Sequence, residues 1–296
     1  MKQYNVNTVT LSRGETIAYR KAGNAEACIL LIHGNMSSSV HWQPVMEVLE
    51  KDFTIYAPDM RGFGDSSYNA PFDSLQCLAE DLSELIDKVD LKNFTVIGWS
   101  TGGGVALELA ALHPDRVRQV VTIGSVPVTG YPIFKKDEKG APIPTELLKT
   151  KADIANDPVQ TIPVLQAFEA GNRDFIQLVL DNALYPKAKP PASDYELYLD
   201  AVLQQRCLVD TYYSLLTFNM TNTESHSAPG SNRLERIKCP IVMLHGSDDL
   251  VVPLAWAKES HAAMEKQASF ILLEGLGHSP MTDDFSTFIQ TLRQQL

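Results

Sequence analysis

The 296-residue sequence has only four cysteines, Cys28, Cys77, Cys207 and Cys239. They are widely scattered, with no CxxC pair and no Cys/His ligand spacing. That argues against a disulfide framework or a zinc site and suits reduced thiols in a reducing compartment. Positive charge is also scarce: 25 Lys+Arg stand against 36 Asp+Glu, a formal net charge of −11. Nucleic-acid binding needs clustered positive charge, so no such partner is expected. The same balance disfavours anionic membrane surfaces and highly anionic substrates. No run approaches the ~18 apolar residues that a membrane span needs. Met1–Asn7 contain no apolar stretch of the kind that marks a secretory signal, so the expected location is cytoplasmic. With 44% hydrophobic and 21% charged residues, the chain is neither disordered, collagen-like nor coiled-coil.

What is present is an alternation of elements. Short runs rich in Val, Ile, Leu and Phe occur at Cys28–Ile32, Phe53–Tyr56, Phe94–Ile97, Val117–Ile123, Ile241–Leu244 and Phe270–Leu273. Most lack strict apolar/polar alternation, as parallel strands covered on both faces do. Helical patterns lie between them. In Ser74–Asp90, Leu75, Leu78, Leu82, Leu85, Ile86 and Val89 recur at steps of three and four. Gly102–His113 stops before Pro114, and Ala255–Gln267 and Asp284–Gln295 supply two more helices. The fold class is therefore α/β, with a mainly parallel sheet.

The rhythm breaks between 126 and 230. No strong strand run appears there, and Thr145–Ala155, Pro158–Glu169, Arg173–Leu184 and Tyr195–Met220 read as helices. The expected organisation is a core of residues 1–125 and 231–296, with a helical cap of residues 126–230 inserted over the sheet edge.

The strongest chemical signal runs from Phe94 to Gly104, FTVIGWSTGGG, straight into the helix that ends at His113. It places Gly98-x-Ser100-x-Gly102 at a strand-to-helix junction. Such a turn strains the serine backbone and exposes its hydroxyl at the C-terminal edge of the sheet. The helix N-terminus then points backbone donors at any developing anion.

With that elbow in place, the chain resembles the α/β-hydrolase superfamily over essentially its whole length except the cap. Four further segments fall in the family's order. Leu31–Asn35 (LIHGN) is similar to the HGx loop, and Asp59–Ser66 (DMRGFGDS) to the loop after the next strand. Gly246–Pro253 (GSDDLVVP) is similar to the acid-bearing turn, and Gly277-His278-Ser279 to the terminal histidine loop. The resemblance implies an α/β-hydrolase fold with an inserted helical cap.

A serine hydroxyl needs an adjacent base to act as a nucleophile near neutral pH. Of the seven histidines, His278 is the best candidate, because it sits in a Gly-rich loop just after a strand. His113 and His261 read as helix-surface residues, His33 as a loop brace and His245 as a packed core residue. The base in turn needs an orienting carboxylate. Asp248 and Asp249 both follow the strand at 241–244, and adjacent residues in extended chain point oppositely. The family pattern assigns the acid to Asp249, giving the order Ser100…Asp249…His278. By resemblance, the oxyanion donors are the backbone N–H groups of Asn35 and Thr101. The Asn35 side chain is open to two readings, a substrate contact or a turn amide bonding its own backbone. Met36, Trp99 and Met281 are candidates for lining an apolar acyl pocket, and Arg61 and Asp65 read as loop braces.

A serine at the elbow sets this chain apart from relatives that use an aspartate nucleophile. The expected function is a serine hydrolase of a small-to-medium carboxylic ester or lactone. The alternatives are a C–C hydrolase of the meta-cleavage type, a thioesterase, a perhydrolase or, in another class, a non-catalytic small-molecule-binding protein. The HGNMSSS loop, the GWSTGG elbow and the GSVPV segment are most similar to some acyl-homoserine-lactone hydrolases of this fold. The expected partner is a small ester or lactone. Neither a metal nor an organic cofactor is implied, since no ligand-spaced cluster and no dinucleotide fingerprint is present.

Overall fold

The computed structural model describes residues 1–296. In chain order, the first part holds β1 (Val6–Thr10), β2 (Thr16–Ala22), β3 (Cys28–Ile32), α1 (Gln43–Leu49), β4 (Thr54–Pro58) and α2 (Leu75–Lys88). It continues with β5 (Phe94–Trp99), α3 (Thr101–Leu112) and β6 (Val117–Ile123). Next come β7 (Phe134–Lys136), β8 (Pro142–Leu147), α4 (Lys151–Ala155), α5 (Thr161–Ala170), α6 (Arg173–Ala183), α7 (Ala192–Leu203) and α8 (Leu208–Leu216). The last part holds β9 (Ile241–Gly246), α9 (Leu254–Ala263), β10 (Ala268–Leu273), α10 (Pro280–Asp283) and α11 (Phe285–Arg293).

Eight strands form one sheet in the order β1-β2-β4-β3-β5-β6-β9-β10. From β4 to β10 every pairing is parallel, and β2 alone runs against the others, pairing antiparallel with both β1 and β4. The apolar runs form the interior strands because helices cover both faces. Alternate residues of a strand enter opposite layers. Leu30, Ile32 and Val96 pack with α2 and α3, whereas Ile29, Leu31 and Ile97 pack with α1, α6, α7 and α11.

The covering helices follow from their sequences. Ser74 caps α2 by accepting the Cys77 N–H at 3.3 Å, and the leucines at 75, 78, 82 and 85 are buried. Almost all of α3 is buried, including Glu108. A bare carboxylate there would be costly, and Arg233 Nε donates to it at 2.7 Å. Removing only one partner of such a pair leaves an uncompensated charge.

One hairpin goes unmarked in the sequence, and three sequence expectations are corrected. Residues 6–22 form an antiparallel hairpin at the sheet edge; β1 is largely exposed, so no apolar run marks it. Residues 126–230 are not wholly helical, since β7 and β8 pair as a hairpin. The helix expected over Thr145–Ala155 begins only at Lys151, where Thr150 Oγ1 accepts the Asp153 N–H at 3.0 Å. Finally, the helix expected over Tyr195–Met220 is two helices, α7 and α8. At the break between them the Arg206 N–H donates to Gly62 O at 2.8 Å, docking this segment onto the core. No helix is long and apolar enough to cross a membrane.

His41 lies beneath α7, stacked on Tyr198 with ring centroids 4.1 Å apart. Its Nδ1 accepts the Ser38 N–H at 3.2 Å, so Nε2 carries the proton, and that buried N–H has no acceptor. Burial, followed by the neighbouring His33, pushes its pKa down from 6.5 to about 3. The folded state therefore stays neutral while the unfolded chain protonates, so this contribution is whole above pH 6.5 and is lost as pH falls toward 3. Urea titrations of wild type and His41→Gln across this window are expected to show wild type taking up about one more proton on unfolding. Parallel pH profiles would contradict this account of His41.

Candidate active site

The site begins where β5 meets α3. Ser100 joins them at φ 55° and ψ −121°, a left-handed backbone that non-glycine residues rarely adopt. Close backbone approach imposes it. A Cβ on Gly98 would lie 2.2 Å from Gly102 O, and one on Gly102 would lie 2.3 Å from Ile32 O and 2.4 Å from His33 O. The Ser100 N–H donates to Ile123 O at 2.9 Å, and its carbonyl accepts from Gly103 and Val126. These bonds hold a conformation whose intrinsic cost is on the order of 1–3 kcal/mol.

The loop after β3 lies against this turn. A Cβ on Gly34 would sit 3.0 Å from Ser100 Cβ. His33 braces the loop: its Nε2 accepts the Met60 N–H at 3.0 Å, so Nδ1–H donates to Gly34 O at 2.8 Å. Burial pushes the His33 pKa down, consistent with a neutral ring. The Asn35 N–H bonds no protein acceptor. Thr101 is the first residue of α3, so no carbonyl of its own helix reaches its N–H.

The Asn35 side chain lines the cavity and does not bond its own backbone. Its Oδ1 accepts from Gln205 Nε2 at 2.8 Å, and Gln205 Oε1 accepts the Met36 N–H at 3.0 Å. Gln205 is buried and comes from the α7–α8 break. Nothing local in the sequence links it to a loop 170 positions earlier.

Asp249 follows β9 and is buried. Its Oδ1 accepts the N–H groups of Val251 and Val252, each at 2.8 Å. Its Oδ2 accepts from His278 Nδ1 at 2.8 Å. Burial alone would raise the Asp249 pKa, but His278 and the Val252 N–H outweigh it and hold the carboxyl below its usual range. Neighbouring Asp248 faces solvent and pairs with Lys187 at 2.6 Å. His245, its pKa pushed down by burial, donates Nε2–H to Val252 O at 3.0 Å and is absent from the cavity wall. Trp99 Nε1 donates to the His278 carbonyl at 2.8 Å and anchors the histidine loop.

Ser100 and His278 line one cavity of about 440 Å³, in which 16 of 22 wall residues are hydrophobic. No hydrogen bond joins the two side chains. Such contacts often tighten only when substrate arrives. Asn35, Met36, Trp99 and Thr101 line the same cavity, and α5, α6 and α8 add Val164, Phe175, Val179 and Leu215. Met281 does not reach it: α10 turns that residue into the core layer beside α11, correcting the expectation that it lines the pocket. Arg61 donates to Asp81 at 2.7 Å and Asp65 pairs with Arg20 at 3.5 Å, so both brace loops. His113 accepts or donates to Ser83 Oγ, and His261 bonds Ala268 O, both away from the cavity.

Gly124 stands behind the Asp249–His278 pair. It has φ +49°, and a Cβ there would lie 3.1 Å from Asp249 Oδ2 and 3.2 Å from His278 Nδ1. Gly171 has φ +61° with nothing within 4 Å of a Cβ. Gly171→Ala is expected to cost about 1 kcal/mol of stability for the backbone alone. Gly124→Ala should cost measurably more in urea unfolding, and equal costs would mean that the pair yields freely.

A family model described as alpha/beta hydrolase fold matches residues 28–285. The chain is 26% identical over 286 residues to a non-heme chloroperoxidase of Streptomyces lividans, covering 94% of each. It is 26% identical over 292 residues to a bifunctional esterase/perhydrolase of Acinetobacter calcoaceticus, covering 96% of this chain and 97% of that one. The solved structure of an esterase from Exiguobacterium antarcticum matches with a TM-score of 0.73 at 18% identity, covering 97% of this chain and 98% of that one, a likeness of fold.

Proposed function

The chain belongs to the alpha/beta hydrolase fold family, and we propose that it is a serine hydrolase of a small-to-medium carboxylic ester or lactone. Ser100 Oγ attacks the carbonyl carbon while His278 Nε2 takes its proton. The carbonyl electron pair moves onto oxygen, where the N–H groups of Asn35 and Thr101 receive the charge. Collapse breaks the C–O bond, and His278 returns the proton to the departing alkoxide. Water then gives a proton to His278, its oxygen attacks the acyl carbon, and reprotonated Ser100 leaves the free acid. Asp249 fixes the tautomer that keeps Nε2 basic and stabilises the imidazolium as it forms.

One observation carries this reading. His278 donates Nδ1–H to a buried carboxylate at 2.8 Å, and it shares a cavity with a serine held at φ 55°. The mostly apolar wall favours an acyl or alkyl group over a strongly polar one. The relatives named as chloroperoxidase and esterase/perhydrolase support a variant in which hydrogen peroxide replaces water in the second half-reaction and releases a peracid.

Hydrolysis of p-nitrophenyl butyrate is expected to fall by more than about a thousandfold in Ser100→Ala, with thermal unfolding unchanged. A retained wild-type rate would reject the serine mechanism. Gln205→Met keeps side-chain volume but releases Asn35 and the Met36 N–H. Loss of aim at one oxyanion donor is expected to lower kcat about tenfold or more with KM little changed. A purely structural brace would instead lower stability and leave kcat intact.

A further inference from the structure

The cavity wall carries one Lys, Arg, Asp or Glu side chain, and it is a cation: Lys136, from β7. Its surroundings set it apart from the other lysines nearby. Successive residues of a strand face opposite sides. Lys135 faces out, exposed, and pairs with Glu146 across the hairpin at 2.9 Å. Lys136 lies opposite Pro142, which offers no carboxylate, and it is half-buried with no ion pair or hydrogen bond. Lys151 is neutralised by Asp73 and Asp210, each at 2.6 Å, and Lys187 by Asp248 at 2.6 Å. In a chain where acids outnumber bases by 36 to 25, an uncompensated ammonium on an apolar wall is conspicuous.

We propose that Lys136 is an anion subsite, and that the substrate is an ester or lactone bearing a carboxylate remote from its scissile carbonyl. The inference rests on the serine-hydrolase reading. Such a molecule has a counterpart for each of its parts among the residues of this one cavity wall. Its acyl chain lies along Val164, Phe175, Val179 and Leu215, its carbonyl meets Ser100, and its carboxylate meets Lys136. The overall negative charge of the protein opposes anions in general. A single carboxylate that leaves water beside apolar walls gains from one close cation more than distant screened charges cost it. Lys136 also separates substrates by charge where the apolar wall separates them only by size.

The test compares mono-p-nitrophenyl adipate, which carries a free carboxylate, with p-nitrophenyl hexanoate. In wild type, kcat/KM is expected to favour the carboxylate ester. In Lys136→Met the ratio should fall at least tenfold, and in Lys136→Glu further still. Raising salt should shrink the wild-type ratio but not that of Lys136→Met. An unchanged ratio in Lys136→Met, while both esters are hydrolysed in a Ser100-dependent way, would overturn the subsite alone. Hydrolysis that persists in Ser100→Ala would overturn the underlying mechanism instead. Calorimetric binding of monomethyl adipate to Ser100→Ala, with and without Lys136→Met, tests the subsite without turnover; equal affinities would overturn it.

Discussion

The structure depends on one crowded point, where the end of β5, the first turn of α3 and the loop after β3 meet backbone to backbone. Gly98 faces the carbonyl of Gly102, and Gly102 faces the carbonyls of Ile32 and His33. No side chain larger than hydrogen fits at either glycine without moving main chain. Of the residues between them, Ser100 takes the strained turn, and it lines the cavity. Because β5 is central and fully buried, the strain cannot relax by shifting the strand. The surrounding hydrogen bonds and core layers offset the local cost.

Around that point, polar groups are placed where burial decides their charge. His33, His41 and His245 are all pushed toward neutrality by burial, and each has a fixed bonding role or packing partner. Asp249 is also buried but keeps its charge, because three N–H donors converge on its two oxygens. The segment 126–230 does more than supply apolar wall. Gln205 grips the loop that carries Asn35, and Lys136 brings a positive charge to the cavity. Shape and aim at this site therefore depend on contacts between parts of the chain far apart in sequence.

The legible elements share a physical cause. Strands covered on both faces must be apolar throughout, so Cys28–Ile32 and Ile241–Leu244 stand out in the sequence. The β1 strand is largely exposed, and β7 and β8 are mostly exposed, so none needed an apolar run and none was recognised. Ser100 and His278 could be picked out because glycines mark the tight turns around them. Choosing Asp249 over Asp248 needed the family pattern, and the structure separates the two by burial. Gln205 could not be read because its partners are fixed only by docking of the α7–α8 break. Met281 lies three residues from His278, yet one helical turn carries it away from the cavity.

On the proposed mechanism, the crowded turn makes Ser100 the nucleophile that becomes acylated. Incubation of the native protein with a fluorophosphonate, followed by intact-mass measurement and peptide mapping, addresses this directly. One adduct per chain is expected, on the peptide containing Ser100, with loss of ester hydrolysis in proportion to labelling. An unlabelled protein that still turns over ester, or an adduct on a different residue, would contradict it.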